Sequence, residues 1–313
     1  MTAIIVHGGC GIWLPSAESD AKAGTAQAAQ AAQQILLNGG TALQAVITAC
    51  TTLENNPTFN AGTGSVLNYD GIAQMDASLM EGHTCRFGAV AAIERVQNPI
   101  LVAQKIIETT DHNILAGTGA TTFAHQNGFP DYDPRTPKRI AEHNQLLAKV
   151  PKEIRSTPLK TSQYSTDHPE HAHLTGSLTT GTIGAVALDS HGHLAAATST
   201  GGILLKLSGR VGDTALPGCG TYATNYSAVS STGTGEFVMR ILGARQVCDL
   251  IDNGQTPQQA IGTVLNQIQT TFSAQTGLIA LNHTGKVGIA HRTPEMPHAF
   301  AVGNEAITAR IRA

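Results

Sequence analysis

Gly181-Thr182-Ile183-Gly184-Ala185-Val186-Ala187-Leu188-Asp189 sets one hydroxyl, that of Thr182, at the head of an apolar run with β-strand composition. The run ends at a turn, Asp189-Ser190-His191-Gly192, and a second apolar run, Leu194 to Thr198, follows at once, so the two read as a hairpin. Upstream, residues Pro151 to Thr180 are rich in Ser, Thr, Pro, His and Lys with few apolar side chains to bury, a composition that predicts a mobile tract. Such a tract running into Gly-Thr at the lip of a buried strand points to a cut between Gly181 and Thr182. The cut would give Thr182 a nucleophilic hydroxyl and, on the same residue, an amine to serve as its base. The competing reading is an ordinary loop before a buried strand.

The bulk of the chain suits a compact enzyme. Over 313 residues, 41% are hydrophobic and only 13% charged, which favours one large α/β unit over a disordered scaffold. A net charge of -3 leaves no basic footprint for nucleic acid and no polybasic membrane signal. The five cysteines (10, 50, 85, 219 and 248) are scattered without a CxxC pair, so they read as reduced thiols, neither a disulfide framework nor a zinc ribbon. No apolar run reaches the roughly 18 residues of a membrane span, and the chain enters a strand at once without a signal region, so the expected location is cytoplasmic.

Along the chain, Ala3–Val6 reads as a strand closed by His7-Gly8-Gly9, where His7 is either a catalytic base or a hydrogen-bonded core residue. Ala17–Leu37 reads as a helix ended by Asn38-Gly39-Gly40. A second helix starts at Thr41, with Gln44 completing a capping box. A Gly-rich loop, Asn56 to Ser65, precedes a strand expected near Val66. It lacks both phosphate-binding glycine spacings, and its carbonyls would suit a hard cation such as sodium or a water. Strands are expected at 72–80 and 86–93, with Asp76 as a structural acceptor, then a helix at 99–108, a strand at 114–116 and helices at 117–126 and 137–149. Inside the tract, His168, His171 and His173 resemble a metal cluster or a solvated linker. Beyond the hairpin, Gly209-Arg210-Val211-Gly212-Asp213 sets a guanidinium and a carboxylate in one loop. That pair would match the α-carboxylate and α-ammonium of an amino acid, or would be an internal ion pair. Ser227–Ser231 reads as a strand, Thr232-Gly233-Thr234-Gly235-Glu236 leads into a helix to about 252, and backbone N–H groups at that junction could receive an oxyanion. A helix at 257–270 and a hairpin around His283-Thr284-Gly285 complete the reading.

Strands before and after the tract, each group followed by helices, predict two sheets face to face with helices outside, an α/β (α+β) protein with a four-layer αββα sandwich. The Gly181–Asp189 stretch, Ala197-Thr198-Ser199-Thr200-Gly201-Gly202, the Gly209–Asp213 loop and Thr232–Glu236 together resemble the isoaspartyl peptidase and L-asparaginase family, the plant-type asparaginases among the N-terminal nucleophile hydrolases. His7-Gly8-Gly9, Asn60-Ala61-Gly62-Thr63-Gly64 and Met75-Asp76-Ala77 extend the resemblance over nearly the whole chain, only the tract being unmatched.

The resemblance implies that Thr182 is the nucleophile freed by self-cleavage after Gly181, giving subunits 1–181 and 182–313, and that Thr200 orients it. It implies that Arg210 and Asp213 hold the substrate's α-carboxylate and α-amine, that Thr232 and Gly233 form the oxyanion hole, and that the Gly235 carbonyl helps bind the amine. It further implies a structural sodium on carbonyls of Leu53, Glu54, Asn56, Phe59, Ala61 and Thr63, no cofactor for catalysis, small-molecule substrates (L-asparagine and β-aspartyl dipeptides) and an (αβ)2 dimer. One departure stands out: the family usually has Asn-Lys before its Gly-Arg loop, where this chain has Leu205-Lys206. A glycosylasparaginase-like amidase is the nearest alternative, against which Gly181 stands where that enzyme commonly carries Asp. An uncleaved, non-catalytic binder of the same fold is the other.

Overall fold

The computed structural model describes residues 1–151, 153 and 181–312. The tract 154–180, with its three histidines, lies outside the described residues. The first half supplies strands β1 (Ala3–His7), β2 (Met75–Glu81), β3 (Phe87–Ile93) and β4 (Ile114–Ala116) and helices α1 (Pro15–Leu37), α2 (Ala42–Glu54), α3 (Pro99–Thr109), α4 (Gly117–Gln126) and α5 (Pro137–Lys149). The second half supplies β5 (Ile183–Leu188), β6 (Leu194–Thr200), β7 (Thr221–Ala223), β8 (Ser227–Gly233), β9 (Thr276–Asn282), β10 (Val287–His291), β11 (His298–Val302) and β12 (Thr308–Arg310). Its helices are α6 (Gly235–Arg240), α7 (Gly243–Asp252) and α8 (Pro257–Phe272).

Two sheets result, an eight-stranded one in the order β12-β11-β1-β5-β6-β2-β3-β4 and a four-stranded one in the order β10-β9-β8-β7. Strand parity decides what lies on either side of each. On the large sheet Ile4, Val6, Ile183, Ala185, Ala195 and Ala197 face α1 to α4, while Ala3, Ile5, Val186, Leu188 and Ala196 face the other sheet. On the small sheet Val229, Leu278 and Ala280 face α6 to α8, while Ala228, Ile279 and Leu281 face inward. Three apolar seams therefore separate four layers, and this is the αββα sandwich of the N-terminal nucleophile hydrolases.

Sequence order does not partition the sheets as expected, because β5, β6, β11 and β12 from the second half join the first-half strands in the large sheet. The hairpin β5–β6 lies between β1 and β2, paired to both. A strand near Val66 does not form. The Val66 N–H goes to the Asn60 side chain at 2.9 Å, and the Asn68 side chain accepts from Asp70 and Ile72, so local turns take up the backbone groups a ladder would need. The helix expected after Gly235 is broken at Leu242, which sits in the left-handed region with φ 52° and divides α6 from α7. The expected Thr41–Gln44 capping box forms at the start of α2, and a second, Thr256–Gln259, starts α8.

Between the sheets lies a polar layer. His7 Nε2 is 3.0 Å from Ser230 Oγ, Ser230 Oγ is 2.8 Å from Thr198 Oγ1, and Thr221 Oγ1 stands between Thr198 Oγ1 at 2.5 Å and Ser78 Oγ at 2.8 Å. The two sheets approach closely there because Gly184 has no Cβ. A Cβ at that position would run into Ser230 Oγ and come within 2.6 Å of His7 Nε2. Replacing Gly184 with Ala should therefore destabilise the fold by about 1 to 3 kcal/mol. Much of that loss should return in the Gly184→Ala, Ser230→Gly pair, read as a non-additive double-mutant cycle by urea unfolding.

Candidate active site

The parity that builds the seams also points the chemistry inward. Residues Thr182, Gly184, Val186 and Leu188 alternate along β5 with the helix-facing positions, and Val186 and Leu188 lie in the inter-sheet seam, so Thr182 points the same way. The same count places Thr198 and Thr200 of β6 and Ser230 and Thr232 of β8 on the inter-sheet side. Ile183 pairs with Ser199, so the register carried one residue further sets Thr182 opposite Thr200, and β2 pairs Asp76 with Thr200 on the other flank. All four threonines are buried.

The Gly181–Thr182 junction is wedged. A Cβ on Gly9, itself at φ 101°, would fall 2.5 Å from the Gly181 carbonyl oxygen, and one on Gly181 would strike Thr232 Oγ1. Thr232 Oγ1 in turn accepts the Cys10 N–H at 3.2 Å. Gly181–Thr182, Thr200 and Thr232 thus come from three separate stretches of sequence to one place. Gly233 follows Thr232 at φ 120°, a conformation that suits glycine.

Thr200 Oγ1 accepts the Gly202 N–H at 2.9 Å, and the loop after it is fixed from below by Asn60, whose Nδ2 donates to Gly202 O at 2.8 Å and whose carbonyl accepts from Gly201 N at 2.9 Å. Arg210 forms a two-pronged pair, but with Glu236: Nε to Oε1 is 2.8 Å and Nη2 to Oε2 is 2.7 Å. Among the described residues it forms no ion pair with Asp213, so the internal Arg–Asp pair is not what holds the loop. Asp213 is buried, accepts from Ser231 Oγ, and abuts Gly235, where a Cβ would collide with its Oδ1. Burial pushes its carboxyl above the usual range, against the Ser231 hydrogen bond and the charge of Arg210, which pull it back.

Asp76 is structural, as expected, with its oxygens accepting from Ala92 N at 2.8 Å and Gly212 N at 3.2 Å. His7 is fully buried and spent on Ser230; burial, with the nearby His298, brings its pKa down to about 3, so it stays neutral. Leu205 is fully buried. It packs with Val66, Leu146, Val150 and Leu204 against the end of α5, at φ 60°. The departure at this position therefore bears on how the end of α5 is anchored. Two residues escaped the sequence reading, Glu236 as the partner of Arg210 and Lys206 as a buried cation, because each matters through a contact distant in sequence.

The loop proposed to hold a cation is closed by Thr63 N donating to Glu54 O at 2.8 Å, with Asn56 N on Leu53 O and Phe59 N on Asn56 O, both at 3.1 Å. Phe59 plugs it into the fold against Trp13 and the bare Cα atoms of Gly8 and Gly24. Ala61 and Thr63 lie on the same turn, with Gly62 at φ 54° and Gly64 at φ 97°. The Glu54 side chain points away from this loop to Ser199 Oγ at 2.6 Å and Ile100 N at 3.1 Å, joining the loop's base to the strand that carries Thr200. Among the described residues no group of three or more His, Cys, Asp or Glu side chains is arranged to hold a metal ion. Nor is any described helix long and apolar enough to cross a membrane.

An inter-sheet threonine at the start of a strand, with a glycine peptide pressed behind it, defines the class: an N-terminal nucleophile hydrolase fold. The family model described as asparaginase matches residues 1–311, and the chain belongs to the asparaginase family. It is 41% identical over 302 residues to the plant-type L-asparaginase of Pyrococcus abyssi, covering 96% of each chain. It is 36% identical to the isoaspartyl peptidase/L-asparaginase of Danio rerio (96% of this chain, 92% of the relative) and 37% identical to that of Mus musculus (98% and 90%).

Burial raises the Glu54 carboxyl from 4.5 to about 8, although Ser199, Ile100 and Asn98 all donate to it. The unfolded chain gives up this proton near 4.5 and the folded chain near 8, so stability is full below about 4.5, falls as pH rises, and levels off above about 8. Glu54→Gln should flatten that slope, and denaturant midpoints at pH 5, 6.5 and 8 measure it.

Proposed function

We propose that the chain is a threonine-dependent amidohydrolase that cuts itself between Gly181 and Thr182 and then hydrolyses L-asparagine and N-terminal β-aspartyl peptides at the side-chain carbonyl. The observation that carries this reading is the wedge of Gly181 against Gly9 and Thr232, with Thr200 opposite Thr182. The names of the relatives supply the substrate class.

In the first step Thr182 Oγ1 attacks the Gly181 carbonyl, the peptide C–N bond breaks as its nitrogen takes the proton, and water hydrolyses the resulting ester. Gly181 is left with a carboxylate and Thr182 with a free amine. An α-amine has a reference pKa of about 8, close enough to neutral to take the hydroxyl proton, which an internal threonine has no group to do. In turnover Thr182 Oγ1 attacks the substrate carbonyl. The developing oxyanion faces Thr232 and Gly233, where one such donor is worth about 3 to 4 kcal/mol of barrier. The Thr182 ammonium protonates the departing ammonia or peptide amine, and water releases aspartate from the ester.

Arg210 binds the substrate α-carboxylate by the fork it offers Glu236, and Asp213 with the Gly235 carbonyl takes the α-amine. Glu236 then gives way to the substrate. A sodium ion suits the carbonyls of Leu53, Glu54, Asn56, Phe59, Ala61 and Thr63, since a glycine-turned loop offers neutral oxygens to a hard cation and Arg139 takes the Gly64 carbonyl, outside that set. Its contribution would be to hold the loop whose Asn60 supports Gly202. The assembled form is taken as a cytoplasmic (αβ)2 dimer.

Intact-mass measurement of purified protein should give two chains, the smaller starting at Thr182, while Thr182→Ala should stay whole and inactive. A wild-type chain still uncut after prolonged incubation overturns the mechanism. Arg210→Lys keeps the charge and loses the fork, so kcat/KM for β-aspartyl dipeptides should fall by about one to two orders of magnitude. Dipeptides with an amidated α-carboxylate or an acetylated α-amine should be poor substrates in the same assay.

A further inference from the structure

Lys206 is 2% exposed, among the largest fully buried side chains of the protein. Its ammonium donates to the neutral carbonyl of Gln74 at 2.6 Å, and among the described residues it has no carboxylate within ion-pair distance. The nearest anions, Asp76 and Glu236, favour the ammonium through space, but neither makes a direct ion pair with it. Asp76 spends its oxygens on the N–H groups of Ala92 and Gly212, and Glu236 is taken by Arg210.

Gly202 locates this charge relative to the clamp. A Cβ on Gly202 would lie 2.7 Å from Lys206 Nζ and 3.3 Å from Arg210 Nη1, so the two cations lie within about 6 Å of each other across a bare Cα. The same glycine donates to Thr200 Oγ1. A buried ammonium without a direct ion pair is costly, and one set beside a guanidinium more so, unless an anion arrives to share the two. The loop is also tied in place: Gln74 Oε1 accepts from Gly209 N at 2.8 Å, and Lys206 O accepts from Tyr69 N at 2.8 Å.

We infer that Lys206 is a specificity-determining positioning residue, a second cation that acts across Gly202 with Arg210 to select ligands carrying an α-carboxylate. This deepens the proposed function and rests on it. Arg210 supplies directed hydrogen bonds, and Lys206 supplies a second positive charge beside it that makes no direct ion pair. Burial lowers the ammonium pKa to about 8, with Arg210 lowering it further and Asp76 and Glu236 raising it, so an arriving carboxylate should lift it.

The test is calorimetric binding of L-aspartate, the expected product, to cleaved wild type, Lys206→Met and Lys206→Arg between pH 6.5 and 9. Lys206→Met should bind at least tenfold more weakly at pH 7 and raise KM for L-asparagine more than it lowers kcat. Lys206→Arg should recover most of the affinity. Both variants should lack the part of the wild-type loss of affinity above about pH 8 that belongs to this ammonium, the part due to the Thr182 amine remaining in all three. Equal affinity and equal pH profiles in wild type and Lys206→Met overturn the inference and leave the proposed function standing. A wild type that neither binds aspartate nor turns over asparagine overturns both. Should the variants not fold, lysine-selective NMR of the wild type decides: the Lys206 midpoint should rise when L-aspartate is added, and an unmoved midpoint rejects the role.

Discussion

The contact between the two sheets at Gly184 governs the rest of the molecule. Sheets packed on apolar side chains alone keep a spacing of about 10 Å, and hydroxyls from opposite strands would not meet over that gap. Here a glycine on β5 lets Ser230 and His7 pass over its Cα, and Thr198, Thr221 and Ser78 continue the bonded layer into the large sheet. Thr198 stands two residues from Thr200, Ser230 two from Thr232 and His7 two from Gly9, while Ser78 stands two from Asp76, which pairs with Thr200. The layer therefore fixes the alignment of those strands directly beneath the place where Gly181 and Thr182 sit.

A second set of ties reaches the site from the helix side. Ser199 points away from the inter-sheet space and meets Glu54 at the end of α2, while Asn60 holds the backbone of Gly201 and Gly202. Thr200, between Ser199 and Gly201, is gripped on both sides by one loop. That loop is pinned in turn by Phe59, whose ring occupies space cleared by two glycines. A residue whose hydroxyl must hold one orientation gains from this, because its strand is fixed by strong, buried hydrogen bonds.

What the sequence disclosed and what it withheld differ in kind. The hairpin of β5 and β6, the capping box at Thr41, and the bounds of β4, α4 and α5 follow from signals within a few residues of one another, and local chemistry suffices for them. The grouping of Thr182, Thr200 and Thr232 could be reached through the family resemblance, and strand parity then explains it. The membership of β11 and β12 in the large sheet could not be read locally, since β11 pairs with β1 from the far end of the chain. The break at Leu242 and the Arg210–Glu236 fork were hidden for the same reason: a continuous helical composition surrounds the first, and a nearer carboxylate, Asp213, drew attention from the second.

The interleaving of the large sheet bears on what a severed chain would be. Strand β5 lies between β1 and β6, and β6 lies between β5 and β2, so the pieces on either side of residue 181 share three uninterrupted ladders, β11–β1, β1–β5 and β6–β2. Hydrolysis there would remove one covalent bond and no ladder. Neither piece could keep a complete core by itself, since the seam under α1 to α4 draws residues from both. Such a protein would behave as an obligate heterodimer made by scission. Its two polypeptides would part only on global unfolding, and once parted they would have to find each other in solution, turning a unimolecular folding reaction into a concentration-dependent one.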